Sequence, residues 1–386
     1  MKIAILTQPL HNNYGGLIQN YALQKVLKDM GFEVETVNWK SGTFHPFKDW
    51  IWRMKRSVLS YVIRGIDKPA YYLSKREVRI ISENTRNFIE QNISLCPVFV
   101  TKPETFKAID KRYGYDTYIV GSDQVWRPQY NPMQTSMFLD FLTRDNVKRI
   151  AYAASFGTSE WTFDANLTKI CSQLAQKFDF ISVREKSGID LCRQHLGIEA
   201  KQALDPTLLL DRGDYEKLIG NNDSPSQGDL FYYFLDQNEE KMLILNTMAN
   251  TMKMKPFTVM PKILAQNRTR GVVKKHIEDC VFKPVTDWLK GFMDSKMVVI
   301  DSFHGAAFAI IFNKPFWVIG NKQRGNTRFE SLLNLFGLQE RFIDNLSLLN
   351  RNWDTPIDWD KVNIIRKKEA EKSLTSLRNA ILDKKK

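Results

Sequence analysis

The chain has five histidines, and His304 stands where a histidine can do chemistry. Met297-Val298-Val299-Ile300 reads as a buried strand, Asp301-Ser302-Phe303-His304 as a polar turn, and Gly305 as the start of a helix. Ligands of open α/β sheets bind just beyond the carboxyl ends of the strands, so an imidazole at such a junction is placed to move a proton. A helix starting at Gly305 leaves its first N–H groups unpaired and carries partial positive charge there, which suits a phosphate or a carboxylate. Ser302 and Gly305 are small enough to admit a ligand, and Asp301 could orient the imidazole or cap the helix.

Other turns share this form. Asn13-Tyr14-Gly15-Gly16 follows the first apolar run; its glycines permit close backbone approach, and Asn13, Gln19 and Asn20 carry amides suited to sugar hydroxyls. It matches neither GxGxxG nor a Walker loop, so no nucleotide fingerprint is present. Gly121-Ser122-Asp123-Gln124-Val125-Trp126 follows the strand Tyr118-Ile119-Val120. There Trp126 could be a stacking plane for a sugar beside Asp123 and Gln124, or a core tryptophan after a helix cap. Ala154-Ser155-Phe156-Gly157 has the same form. Arg184 ends another strand and could clamp an anion bidentately, or pair with Glu185. Asp205-Pro206-Thr207 reads as a structural turn, because a residue before proline is biased to extended backbone. Lys322, Arg324 and Arg328 lie in a basic loop entering a helix and could complete an anion pocket.

Short apolar runs must carry these turns. Strands are expected at 2–7, 32–38, 116–120, 148–154, 179–183 and 201–204, then at 229–235, 256–260, 297–301 and 316–319. Amphipathic segments between them read as helices. A strand–loop–helix–strand opening implies a right-handed parallel crossover. Residues 44–100 interrupt the rhythm as a helical insertion, with Phe47, Trp50, Ile51 and Met54 on one stripe and basic residues around it. Asn221 to Gly228 is the best linker. The expected domains are 1–222, which includes the insertion, and 228–357, followed by a basic terminal helix over 358–386. The fold class is α/β, two Rossmann-like halves facing across a cleft.

With 386 residues the chain exceeds one ordinary core. Its four cysteines are widely spaced, which argues against a disulfide framework or zinc site and for a reducing compartment. Neither a signal peptide nor a membrane-spanning run is legible, so a cytoplasmic protein is expected. The net charge of +13 suits an anionic substrate, an anionic membrane surface or nucleic acid; without a helix-turn-helix, zinc-finger or RNP motif, nucleic acid is not expected.

Taken in order, Asn13-Tyr14-Gly15-Gly16 with Gln19, Gly121 to Trp126, Tyr152 to Gly157, Val183-Arg184-Glu185, Asp205-Pro206-Thr207-Leu208-Leu209-Leu210 and Asp301-Ser302-Phe303-His304-Gly305 resemble the polysaccharide pyruvyl transferases. The resemblance runs to about residue 341. It implies a glycosyltransferase-B-like pair of domains and a reaction in which phosphoenolpyruvate gives its three-carbon unit to two hydroxyls of one sugar, forming a cyclic ketal and releasing phosphate. His304 matches the family's general acid. Arg184, Ser302, Gly305, Arg324 and Arg328 would hold the donor, and Asn13, Gly15, Gly16, Gln19, Asp123, Gln124 and Trp126 the acceptor. No metal and no bound cofactor are expected beyond phosphoenolpyruvate as co-substrate. The acceptor is expected to be a saccharide repeat unit, with a lipid-linked form and a contact of the 47–64 stripe with the inner membrane face left open. Some members carry an arginine where this chain has Ser302. A nucleotide-sugar glycosyltransferase of the same architecture and a non-catalytic glycan-binding relative remain the alternatives.

Overall fold

A computed structural model describes residues 1–40, 73–221, 225–265, 268, 270–320, 325–344 and 351–383. The first sheet contains β1 (Lys2–Leu6), β2 (Glu33–Thr36), β3 (Thr117–Val120), β4 (Lys148–Ala154), β5 (Phe180–Val183) and β6 (Lys201–Gln202), in the order β2-β1-β3-β4-β5-β6. The second contains β7 (Leu230–Tyr233), β8 (Pro256–Phe257), β9 (Met297–Ile300), β10 (Phe316–Ile319) and β11 (Phe342–Ile343), in the order β11-β10-β9-β7-β8. Every pairing is parallel. Helices cover both faces of a parallel sheet, and accordingly the central strands are shut off from solvent: Ile3 to Leu6, Tyr118 to Val120 and Val298 to Ile300 have no exposure.

The first half carries α1 (Tyr14–Asp29), α2 (Lys75–Ile81), α3 (Glu83–Asn92), α4 (Pro103–Tyr113), α5 (Ala165–Ala175), α6 (Lys186–Leu191) and α7 (Arg212–Ile219). The second carries α8 (Glu239–Met252), α9 (Arg270–Lys275), α10 (Val285–Asp294), α11 (Phe303–Ile311) and α12 (Thr327–Phe336), and α13 (Trp359–Leu382) follows. Helix α11 is apolar on all sides and buried along its whole length, as a helix without a polar face must be.

In each sheet the chain reverses its direction of strand addition once, between β1 and β3 in the first and between β7 and β9 in the second. Such reversals leave a crevice outside the strand ends where ligands bind. The loops that leave β1, β3, β7 and β9 line one cleft, through Asn13, Gln124, Leu235 and Ser302.

The halves are joined by more than a linker. Helix α13 returns to the first sheet: Ser373 Oγ accepts the Leu204 N–H at 3.1 Å, Arg366 donates to the Leu210 carbonyl at 3.0 Å, and Lys148 donates to the Ala380 carbonyl at 2.9 Å. One apolar cluster runs through Leu17 and Leu208 of the first half, Trp288 and Ala307 of the second, and Leu377 and Ile381 of α13.

The helical insertion expected over 44–100 is corrected in its described part; its residues 44–72, with the 47–64 stripe, lie outside the described residues. Helix α2 packs on the second half, not the first. Ile81 is buried with Ala265, Val273 and Cys280, and the Phe282 N–H donates to the Ile81 carbonyl at 3.0 Å. Helix α3 lies at the seam, Phe88 against Tyr21 and Asn84 donating to the Phe282 carbonyl at 2.8 Å. Leu95 and Val100 are extended, each bridged in parallel to Thr36 and Trp39 respectively. All four cysteines are buried and unpaired.

Candidate functional site

His304 occupies the first turn of α11, which begins at Phe303. Ser302 is the N-cap, with extended backbone, and its Oγ accepts the Gly305 N–H at 3.1 Å. This corrects one expectation: the helix starts two residues before Gly305, and the Gly305 N–H is engaged by Ser302, which leaves the Ser302 O–H on the cleft wall. Serine favours the N-cap because its short side chain satisfies one of the orphan donors of the first turn.

Asp301 neither orients His304 nor caps the helix. Its carboxylate accepts the Leu235 and Asp236 N–H groups at 2.6 and 3.1 Å and the Lys241 ammonium at 2.6 Å, tying the loop after β7 to the end of β9. The carboxylate that faces the imidazole is Asp205, from the first half. Its Oδ2 lies 3.6 Å from His304 Nε2. That oxygen also accepts Ser122 Oγ at 2.9 Å and Arg184 at 3.0 Å, while Oδ1 accepts the Thr207 N–H at 3.1 Å and Thr207 Oγ1 at 2.8 Å. The turn read as structural is therefore part of the site.

Arg184 bridges the carboxylates of Asp205 and Asp123, reaching Asp123 Oδ1 at 3.3 Å, and its guanidinium lies 4.2 Å from the centre of the Phe303 ring. Its side chain is 2% exposed and held by these partners. Glu185 does not pair with it; Glu185 Oε1 accepts Ser155 Oγ and the Phe156 and Gly157 N–H groups at 2.8–3.0 Å. The guanidinium fills the space between Asp123 and Asp205, and no metal-binding group of His, Cys, Asp or Glu occurs among the described residues.

These charges shift one another. Burial alone would raise the Asp205 carboxyl, but His304, then Arg184 and the Thr207 N–H outweigh it and hold the group well below its ordinary 3.8. Asp123 follows the same logic: burial is outweighed by Arg184, His304 and Arg328, and the group lies below its ordinary value. Arg328, also buried, is pulled down to about 10 by burial and by the like charge of Arg184.

The strand-end turns are built to hold these groups. Gly121 has φ 115°, and a Cβ there would lie 2.2 Å from the Tyr152 carbonyl. Asp123 has φ 76°, a left-handed conformation that aspartate tolerates better than most residues. Gly15 touches the imidazole itself: a Cβ there would lie 2.3 Å from His304 Nδ1.

Of the residues read as acceptor-binding, Asn13, Gly15, Asp123 and Gln124 line the cleft with Tyr233, Leu235, Ser302, His304 and Arg328. Asn13 also caps α1 by accepting the Gly16 N–H at 3.3 Å, which places Gly16 behind it. Two expectations fail. Trp126 is fully buried, stacked on Phe138 at 4.8 Å, with its indole N–H on the Met137 carbonyl at 3.0 Å; a tryptophan goes inside when its N–H finds a partner there. Gln19 is also buried, its amide donating to Thr7 Oγ1 at 2.8 Å and the Gly16 carbonyl at 3.1 Å. Arg324 lies outside the described residues. A wider recess sits at the amino ends of β4 and β5, near Asp179, Lys201 and Asp383, far from this chemistry.

Two Rossmann-like domains with facing switch points and a returning terminal helix define a glycosyltransferase-B fold. UGT89C1 of Arabidopsis thaliana, solved with UDP-L-rhamnose, shares it with TM-score 0.50 and 8% identity over 98% of both chains. MnaA of S. aureus, solved with UDP, does so with TM-score 0.50 and 12% identity over 100% of this chain and 98% of the other. At such identities these likenesses show the fold alone. No curated protein matches the chain. The family model described as polysaccharide pyruvyl transferase matches residues 13–323, and the chain belongs to that family.

Proposed function

We propose that the protein transfers the pyruvyl unit of phosphoenolpyruvate to two hydroxyls of one sugar in a bacterial polysaccharide repeat unit, forming a cyclic ketal and releasing phosphate. The observation that carries this reading is the meeting, in one cleft, of His304 from the second domain with Asp123 from the first, with the buried Asp205 of the first domain 3.6 Å from His304 Nε2. Family membership supplies the reaction class. His304 is the proton donor to the methylene carbon. Arg328, which lines the cleft, takes the anionic end of the donor, and relief of its crowding with Arg184 favours an anion there. Asn13, Gly15, Asp123 and Gln124 form the acceptor side.

General acid catalysis contributes about 10²–10⁴-fold. Phosphate release from phosphoenolpyruvate, assayed against a panel of saccharides, should fall at least about a hundredfold in His304→Ala with the fold retained. Near wild-type turnover in that variant would remove the assignment. Calorimetric titration separates the rival transferase: tight binding of a nucleoside diphosphate without binding of phosphoenolpyruvate would overturn the donor.

The same reading has the enzyme acting in the cytoplasm on a lipid-linked acceptor; the 47–64 stripe either packs on the protein's own domain, the favoured reading, or rests on the inner membrane face. No helix among the described residues is long and apolar enough to cross a membrane. Flotation with anionic vesicles that weakens with added salt supports the surface contact, and absence of flotation removes it.

A further inference from the structure

We propose that Asp205 is the positioning carboxylate of His304: it engages the imidazole at Nε2 and leaves Nδ1 as the nitrogen that delivers the proton. This rests, in its catalytic part, on the reading of His304 as proton donor.

Asp205 is 1% exposed and fixed by four donors, from Ser122, Arg184 and twice from Thr207. Such a carboxylate cannot turn away from the ring. It is ionised, since His304 and Arg184 outweigh the effect of burial. The other nearby carboxylates are committed elsewhere. Asp301 holds the loop after β7, and Asp123 Oδ1 accepts the Gln124 N–H at 2.9 Å and takes Arg184.

The two ring nitrogens differ in access. Nε2 is closed off from solvent and has no hydrogen-bond partner among the described residues. The 9% of the side chain that remains exposed therefore lies on other atoms. Nδ1 stands beside Gly15, which itself lines the cleft. At 3.6 Å the Nε2–Asp205 contact is longer than a hydrogen bond. Contacts of this kind tighten when a ligand closes the site.

The step balances as follows. The proton on Nδ1 passes to the methylene carbon of phosphoenolpyruvate, and the C–C double bond supplies the electron pair for the new C–H bond. The first sugar hydroxyl adds to the central carbon, and its proton restores Nδ1–H. The C–O bond to phosphate breaks, the second hydroxyl adds, and its proton leaves with phosphate. Throughout, Nε2–H stays on Asp205.

Histidine-selective ¹⁵N labelling tests this with no acceptor present. The His304 ring, assigned by its loss in His304→Gln, should carry its proton on Nε2 in the neutral form. That N–H should give a low-field, slowly exchanging signal, sharpened by inorganic phosphate. In Asp205→Asn the signal should move upfield or vanish. A neutral ring protonated on Nδ1, or an unchanged signal in Asp205→Asn, overturns the proposal. The wild-type tautomer alone can do so, should the variant fail to fold. Titration of phosphoenolpyruvate into wild type and Asp205→Asn keeps the two readings apart. Failure of wild type to bind sinks the donor assignment and leaves the Nε2 result standing. Binding with the wrong tautomer sinks the role of Asp205 alone. Where turnover is measured, Asp205→Asn should lower kcat at least about tenfold with little change in KM, as loss of an orienting carboxylate does.

Discussion

At the scale of single residues, the site depends on one absent side chain and one buried carboxylate. Gly15→Ala places a methyl group where the imidazole sits. It should destabilise the wild type by about 1–3 kcal/mol, the usual cost of overpacking, although alanine suits a helix better than glycine. In a His304→Gly background the penalty should largely disappear, because the imidazole and the Cβ of residue 304, 2.3–2.7 Å from the added methyl, are both gone. Thermal or urea unfolding of both singles and the double variant reads this coupling, and additive effects would mean the contact carries no strain. Asp205 makes a pH prediction. Its native carboxyl lies well below the ordinary 3.8, so the unfolded chain takes up its proton first as pH falls. The stabilisation is therefore complete above about pH 4 and is lost progressively below it. Unfolding free energy measured at pH 5 and pH 3 should drop less in Asp205→Asn than in wild type. His304 and the polar strand ends were legible because imidazole, glycine and small polar residues after an apolar run are a local pattern. The direction of a side chain is not local: Trp126 and Gln19 lie beside cleft residues in sequence and still face inward, each drawn to a buried acceptor.

At the scale of elements, most strands and helices could be read from apolar runs and helical stripes, since a parallel strand covered on both faces needs nearly continuous apolar residues. The start of α11 differs from the expected Gly305 because Ser302, three positions before it, has the chemistry of an N-cap. The two-residue strand β11 carries too little pattern to read. The allegiance of α2 is decided by Ile81 fitting among Ala265, Val273 and Cys280, a tertiary choice that periodicity does not encode. Helix α13 is amphipathic in sequence, and its apolar side closes the core across both halves. Leu377 and Ile381 have no exposure. Leu377→Ala should cost about 2–5 kcal/mol through lost burial and the cavity left behind. An unfolding midpoint within error of wild type would mean the helix is only loosely docked.

At the scale of the whole molecule, sequence reading could place the cleft but not its closure. Asp205 and His304 belong to different domains, and no spacing rule links them. Their contact, the continuous apolar cluster and the hydrogen bonds of α13 make the halves interdependent. Arg328 faces the first domain from the second and shares its field with Asp123, Glu185 and Arg127. Arg328→Met should weaken phosphoenolpyruvate binding at least about tenfold, in line with loss of a charged contact worth about 1.5–3 kcal/mol. The affinity should also fall with salt less steeply than in wild type, because one cation no longer takes part. Calorimetry at two ionic strengths checks both, and an unchanged affinity would move the donor anion elsewhere in the cleft.

The bare α-carbon of Gly15 has an evolutionary corollary. A relative that acquired any side chain there would have to move the histidine opposite, Cβ included, and one that lost the histidine would be relieved of the tightest of these contacts. The two positions, at nearly opposite ends of the chain, should then be inherited as a pair. Members that have drifted from catalysis to mere glycan binding would be recognisable by a substitution at the first as readily as at the second.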